Sequence, residues 1–328
     1  MSQIGLVIPD ELAGFSIDEM VAFARHAERR GYHSVWKGET SGTNSIAVLS
    51  VIAHETEDIR LGTGIANVFS RSPSLLGMSG VTLDAISNGR AILGVGVSSP
   101  PIVTEWHGLE FEQPLRRARE AIEIIRQAVD GDTVEYHGDV FDVGPYSVGF
   151  DGLSDQLPIF NAAMGEQNRR LTGEFADGWM PVFTPFSKLE QYADALTSTA
   201  EDAGRPAPTI APWVPAAVAD KPAVAKQRVK DLLAQEMAMG YNRLLHDYGF
   251  GEPADEAHDL WRSGDREAAA DAITDELIDE FAVYGTPETC RERLAPYYEA
   301  GADLPILWPP FTASRDAVED LIDAFAPR

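Results

Sequence analysis

Short apolar runs recur along the chain at Ile4 to Ile8, Ser34 to Trp36, Arg60 to Gly64, Ala91 to Gly96, Pro158 to Asn161, Gly178 to Val182, Thr209 to Val218 and Leu304 to Trp308. Ala91 to Gly96 is continuous rather than alternating, as a strand buried on both faces under helices requires. Stretches of helical period lie between most of the runs: Ile17 to Arg30, Ala47 to His54, Leu115 to Val129, Asn168 to Ala176, Leu189 to Ala203 and Ala225 to Met239. Eight strands alternating with helices over 328 residues predict an α/β fold, a (β/α)8 TIM barrel ahead of an open doubly wound sheet.

Two stretches depart from this rhythm. Asp132 to Val148 alternates polar and apolar residues with turn residues between, which predicts a hairpin outside the main sheet. Gly240 to Ala282 holds no strand pattern and reads as an acidic helical excursion before the eighth strand. The chain is thus expected to be one barrel domain over 1–328, with insertions at about 131–150 and 240–282. No repeat of 20 to 50 residues and no low-complexity tract suggests otherwise.

The most informative stretch is Arg60 to Ser98, which reads as strand, turn, helix, strand and glycine turn. Gly62 and Gly64 interrupt the first run, a sign of a bulge or of backbone approaching something closely. Ser72 and Pro73 predict a helix N-cap and first turn, and Asn88-Gly89 its C-terminal stop.

Composition narrows the function. A formal charge of −26 with only five lysines, and acids spread over the whole chain, resembles the surface of proteins from a salt-saturated cytoplasm. The same field disfavours nucleic acids and anionic membranes, which need a basic face. No membrane-length apolar run and no secretory leader pattern is present, so a cytoplasmic location is expected. Cys290 is the single cysteine and has no partner for an intrachain disulfide; its helical setting predicts a structural role. The seven histidines show no metal-ligand spacing, and neither a Ser-His-Asp arrangement nor a phosphate-binding P-loop is recognisable.

Four pieces carry a family resemblance: GTGIANVFSRSP at 62–73, NGRAILGVGVSSP at 88–100, GEFADGWMP at 173–181 and YGTPETCRERL at 284–294. They resemble the bacterial-luciferase-like flavin and deazaflavin oxidoreductases, (β/α)8 barrels with insertions, and within them the coenzyme F420 branch that includes methylenetetrahydromethanopterin reductase. The resemblance implies a non-prolyl cis peptide at Gly64-Ile65 behind the deazaflavin ring, with Asn67, Arg71, Ser72 and Pro73 completing that motif. Gly94, Gly96, Val97 and Ser98 would form a turn whose backbone meets a polar edge of the cofactor; flavin relatives often carry arginine where Val97 stands, which favours the deazaflavin. Ala162, Ala163, Met164 and Gly165, followed by Glu166 and Gln167, would lead into a helix whose N-terminus holds the phosphodiester, with Arg169 or Arg170 supplying positive charge.

The resemblance also points to the chemistry. Glu39 keeps a carboxylate at the end of the second strand and is the candidate proton donor, whereas Thr40 stands where many members have a histidine. The first strand, Gly5 to Ile8, lacks the glutamate of the methanopterin reductases; Asp10 and Glu11 lie just beyond it. Trp213 and Trp308 would wall a substrate pocket, and Glu105 to Gly108 would cap it. The implied activity is hydride exchange between coenzyme F420 and a small organic substrate. Alternatives are a methylene-pterin or methylene-folate reductase, an FMN-dependent monooxygenase and a non-catalytic flavin binder. A homodimer or homotetramer is expected, with Ile46, Val48, Leu49, Val51, Leu75, Leu76 and Met78 as a candidate contact face.

Overall fold

The computed structural model describes residues 3–9, 13–39, 42–149 and 157–327. The apolar runs of the first half become β1 (Gly5–Val7), β2 (Ser34–Lys37), β3 (Arg60–Thr63), β4 (Ala66–Asn67) and β5 (Ala91–Gly96). A hairpin of β6 (Val134–His137) and β7 (Asp142–Tyr146) follows, then β8 (Ile159–Asn161), β9 (Gly178–Trp179), β10 (Thr209–Ile210), β11 (Trp213–Val218), β12 (Val283–Gly285) and β13 (Ile306–Trp308). Between the strands run α1 (Ile17–Arg29), α2 (Ser45–Glu55), α3 (Pro73–Ile86), α4 (Pro114–Val129), α5 (Glu166–Phe175), α6 (Phe186–Asp202) and α7 (Pro222–Glu236). The excursion consists of α8 (Asn242–His246), α9 (Gly251–Ser263), α10 (Arg266–Ala272) and α11 (Asp275–Phe281), and α12 (Pro287–Glu299) and α13 (Arg315–Ala324) complete the chain.

Every pairing in the main sheet is parallel, in the order β10-β9-β8-β5-β3-β2-β1-β13-β11-β12, with β4 beside β5. The run predicted as one strand from Thr209 to Val218 closes this curled sheet and is split in two by doing so. On one edge Ala211 N donates to Trp179 O (2.8 Å) and Trp213 N to Pro181 O (2.9 Å). On the other, Pro212, which has no N–H to give, accepts from Ile306 N (2.8 Å). The eight predicted runs are therefore the staves of the barrel. Val283–Gly285 is an additional strand running into YGTPE, too short to show a period; it pairs with Ala216 to Val218 of β11.

Side chains facing the barrel interior meet across it: the rings of Trp36 on β2 and Phe160 on β8 lie 5.7 Å apart, although β3 and β5 separate these strands in the sheet. The interior cluster of Val7, Trp36, Ile92, Phe160 and Met180 continues through Leu232 and Leu233 of α7 into the excursion, at Ala254, Leu277 and Ile278. The excursion thus shares the barrel's own core. A separate layer packs the strands' outer faces against the helices, with Leu6, Val35, Leu61 and Leu93 meeting Phe23, Leu49, Leu76 and Ile125.

Local signals behave as expected. Ser72 Oγ accepts from Leu75 N (3.2 Å) with Pro73 in the first turn of α3. Asn88 and Gly89 leave that helix at φ 54° and 83°. The hairpin packs Val134, Tyr136 and Val143 on Ile124 and Ala128 of α4. Gly94 is corrected from a turn to the interior of β5, where an added Cβ would lie 2.0 Å from Thr63 O. Its glycine serves strand-to-strand approach rather than a ligand. Of the candidate contact face, Val48, Leu49 and Leu76 are consumed in the chain's own core, while Val51, Leu75 and Met78 remain exposed on α2 and α3. Cys290 is buried, and burial pushes its thiol up to about 12. Among the described residues no helix is long and apolar enough to cross a membrane.

Candidate active site

The C-terminal ends of the strands, where barrel enzymes carry their chemistry, surround a cavity of about 540 Å³. Its floor and near wall come from Gly38 and Glu39 after β2, Gly64 and Ile65 after β3, Val97 and Ser98 after β5, and Ala162 and Met164 after β8. Trp213 and Trp308 also line it, with their rings 5.5 Å apart, edge to face. The far side is formed by Glu236, Tyr241 and Leu244, from the end of α7 and the segment after it.

The Gly64–Ile65 peptide bond is cis, and both residues line the cavity. A Cβ on Gly64 would lie 2.3 Å from the Trp213 ring, so the tryptophan occupies the space that the glycine leaves free. Ser98 adopts φ 59°, and Val97 lines the cavity beside it. Gly96 sits one layer behind, where a Cβ would meet Ala162 Cβ at 3.2 Å and Ile65 Cγ1 at 3.3 Å. Asn67 is also behind the floor, its Oδ1 accepting from Phe69 N (2.8 Å).

After β8, Ala162 and Met164 reach the cavity, whereas Ala163 is buried and its carbonyl accepts from Trp179 Nε1 (2.6 Å). Gly165 is the N-cap of α5. Arg169 lies beside that helix N-terminus, donating to Met164 O and stacking 3.7 Å from the centre of the Tyr192 ring. Arg170 is turned to solvent and pairs with Glu174 (2.9 Å). Trp106 lines the cavity mouth while half exposed. Thr40, Asp10 and Glu11 lie outside the described residues.

Two carboxylates face this cavity in opposite settings. Both oxygens of Glu39 are forked by Arg71, Nη1 to Oε2 and Nη2 to Oε1 at 2.6 Å each, with Ser45 Oγ adding a third hydrogen bond at 3.3 Å. In this arrangement Glu39 receives hydrogen bonds and gives none. Glu236 is 7% exposed and makes no hydrogen bond or ion pair among the described residues. Burial alone pushes its carboxyl up to about 8. Burial and the neighbouring Glu236 carboxyl push the Tyr241 hydroxyl up as well. Pattern reading missed Glu236, yet the signal was present: on the buried face of α7, Ala225, Val229, Leu232 and Leu233 are followed at helical spacing by an acid. Arg71 was noted only as part of a motif, since a partner 32 residues from Glu39 leaves no local trace.

A flat, polar-edged ring fits what surrounds the floor. Of the lining residues, Ser99 Oγ and Trp213 Nε1 are buried without a hydrogen-bond partner among the described residues, an arrangement that a ligand relieves. The lining is otherwise largely apolar, and the volume is that of an ordinary ligand pocket. The residues present are therefore compatible with an F420 or flavin ring, which Gly64, Ile65 and Val97 would bear, while the N-terminus of α5 would hold its phosphate.

Comparison with known proteins agrees with this geometry. The model of the luciferase-like monooxygenase family matches residues 3–304. A Mycobacterium tuberculosis protein, provisionally named a coenzyme F420-dependent oxidoreductase, is 31% identical over 92% of both chains. The 5,10-methylenetetrahydromethanopterin reductase of Archaeoglobus fulgidus is 30% identical over 86% of this chain and 87% of its own. Among solved structures, the coenzyme F420-dependent tetrahydromethanopterin reductase of Methanopyrus kandleri superposes with a TM-score of 0.82, covering 99% of this chain and 97% of that one at 22% identity, a likeness of fold. The family match across most of the chain, with relatives at 30% identity or more, establishes that this chain belongs to the luciferase-like monooxygenase family.

Proposed function

We propose that this protein is a coenzyme F420-dependent oxidoreductase that exchanges hydride with a small organic substrate. The observation that carries the reading is the apolar floor at Gly64, Ile65 and Val97, with the unpartnered polar atoms of Ser99 and Trp213 on the lining of the same cavity. Val97 supports the deazaflavin over FMN, because the flavin-binding proteins this chain resembles often carry arginine at that position. When bound, the deazaflavin would supply a two-electron hydride acceptor or donor, and the protein supplies the rest. Gly64, Ile65 and Val97 would bear one face of the ring, and Ser98, Ala162 and Met164 its edges. Trp213, Trp308 and Phe311 would close the substrate side against water. Glu39, locked by Arg71, would present a fixed negative edge there.

Equilibrium binding of F420 and, separately, of FMN in molar KCl, followed by fluorescence, tests this reading. Tight binding of F420 alone is expected. Preference for FMN would return the protein to the monooxygenases, and binding of neither would favour a non-catalytic member. A methylene-pterin reductase is the second reading, favoured by the Archaeoglobus relative. Against it, Val7 and Ile8 of the first strand line the cavity without an acid; reduction of methylene-tetrahydromethanopterin decides the point.

A further inference from the structure

Resting on the F420 reading, we propose that Glu236 is the catalytic acid of this site, and that the substrate is a carbonyl compound or an activated alkene whose reduction consumes a proton. Glu236 ends α7 just before a π-helical turn, Met237–Tyr241, in which Gly240 takes φ 103° and redirects the chain into α8. That turn brings Glu236, Met239, Tyr241 and Leu244 to the cavity wall opposite the floor. Glu236 is 7% exposed, its carboxyl has no partner among the described residues, and the cavity lies beside it, so a substrate in the cavity is what remains for it to bind.

The surroundings keep the group isolated. Among the described lining residues the other ionisable ones are Tyr241 and Glu39, and Glu39 is held by Arg71. The walls from β9, β11 and β13 contribute Met180, Trp213 and Trp308, none of which carries charge. Helices α9 and α10, packed on α7, bury Ala254, Ala257, Ala269 and Ala270. Tyr284 of β12, also against α7, is engaged with Asp279 (2.8 Å). Lys226 of α7 is paired with Asp275 (2.6 Å) and does not line the cavity. With its carboxyl pushed up to about 8, Glu236 carries its proton at neutral pH.

The step balances as follows. The reduced deazaflavin would supply a hydride, and with it two electrons, to the substrate carbon. The C=O π bond breaks toward oxygen, and that oxygen takes the Glu236 proton, leaving an alcohol and a carboxylate that water later reprotonates. For an enone the hydride enters at the β-carbon and the proton at the α-carbon. An iminium ion becomes a neutral amine with hydride alone and has no use for this acid, which is why the acid selects the carbonyl class.

Infrared difference spectroscopy between wild type and Glu236→Gln, with 2-cyclohexen-1-one as probe, reads the carboxyl directly. A protonated-carboxyl band is expected at pH 7, lost with a midpoint near pH 8 and shifted by the probe in the F420-loaded protein. Glu236→Gln should bind F420 as wild type does and reduce ketones and enones about 100-fold or more slowly, with Glu236→Asp recovering part of the rate. The proposal is overturned by an ionised Glu236 at pH 7, by a band indifferent to the probe, by undiminished turnover in Glu236→Gln, or by reduction of 1,2-dimethylpyrrolinium alone. Failure of wild type to bind F420 would overturn the underlying reading and this proposal together; normal binding with any of the other results overturns this proposal alone.

Discussion

Glu39 and Glu236 are the same side chain in the same cavity, and their surroundings give them opposite properties. Glu39 stands just after β2, at the end of a barrel strand, with each oxygen taken by one arm of the Arg71 fork. Glu236 stands at the end of a helix in the far wall, with apolar neighbours and no counter-charge. A fork stabilises the carboxylate and occupies its lone pairs; a dry wall favours the neutral acid and leaves its proton free to move. Two carboxyl groups held so differently can divide the roles of acid and anchor within one site. The family motif led to Glu39, while the environment singles out Glu236.

The largest expected effect that separates the two is on turnover. Glu236→Gln should slow reduction about 100-fold or more and abolish the alkaline limb expected of wild type as Glu236 loses its proton near pH 8. Glu39→Gln should retain that limb. A limb that disappears in Glu39→Gln and persists in Glu236→Gln would return the proton to Glu39.

Breaking the fork tests the other half of the comparison. Arg71→Ala leaves Glu39 without its counter-charge in a setting where both side chains are largely buried, and should cost about 2–4 kcal/mol in urea unfolding. Loss of less than about 0.5 kcal/mol, the range of an ordinary surface change, would mean that the pair is no anchor.

Stability against pH sharpens the contrast without any cofactor. The carboxyl of Glu236 is raised in the folded chain from an ordinary 4.5 to about 8, so the folded state binds the extra proton in that interval. The stability tied to this proton is complete below about pH 4.5 and is lost as pH rises toward 8. Wild type should therefore lose stability relative to Glu236→Gln by on the order of 1 kcal/mol per pH unit across that window and stop losing it above. Parallel curves for the two proteins would place Glu236 in water.

The smallest effect serves as a control far from both carboxylates. Met78, exposed on α3 beside Val51 and Leu75, is our proposed centre of a homodimer face. Met78→Glu should change the unfolding free energy by less than about 0.5 kcal/mol. It should also lower the mass by light scattering, with Glu236 titration unchanged.

Much of the barrel was legible in the chain, for physical reasons that can be named. Continuous apolar runs mark strands covered on both faces, and Ser72-Pro73 and Asn88-Gly89 satisfy or release backbone groups within a few residues of themselves. The hairpin of β6 and β7 was readable from alternation, and Gly64-Ile65 from its motif. Val283–Gly285 was not, because three residues carry no period. Gly94 was misread because its close neighbour, Thr63 O, belongs to another strand.

By itself, then, the amino-acid sequence determined the class of fold, most of its elements, the family and the end of the barrel at which the cavity opens. Periodicity, capping and glycine punctuation act between near neighbours in the chain, so the chain displays them. Only the tertiary structure decided that Arg71 closes on Glu39, that Trp213 fills the space left at Gly64, and that the buried face of α7 ends beside a cavity. The helical pattern places Glu236 inside but is silent on whether core or open cavity lies beside it. That depends on strands and a turn drawn from distant parts of the chain, and it sets whether a buried acid is a fault in packing or a group poised to react.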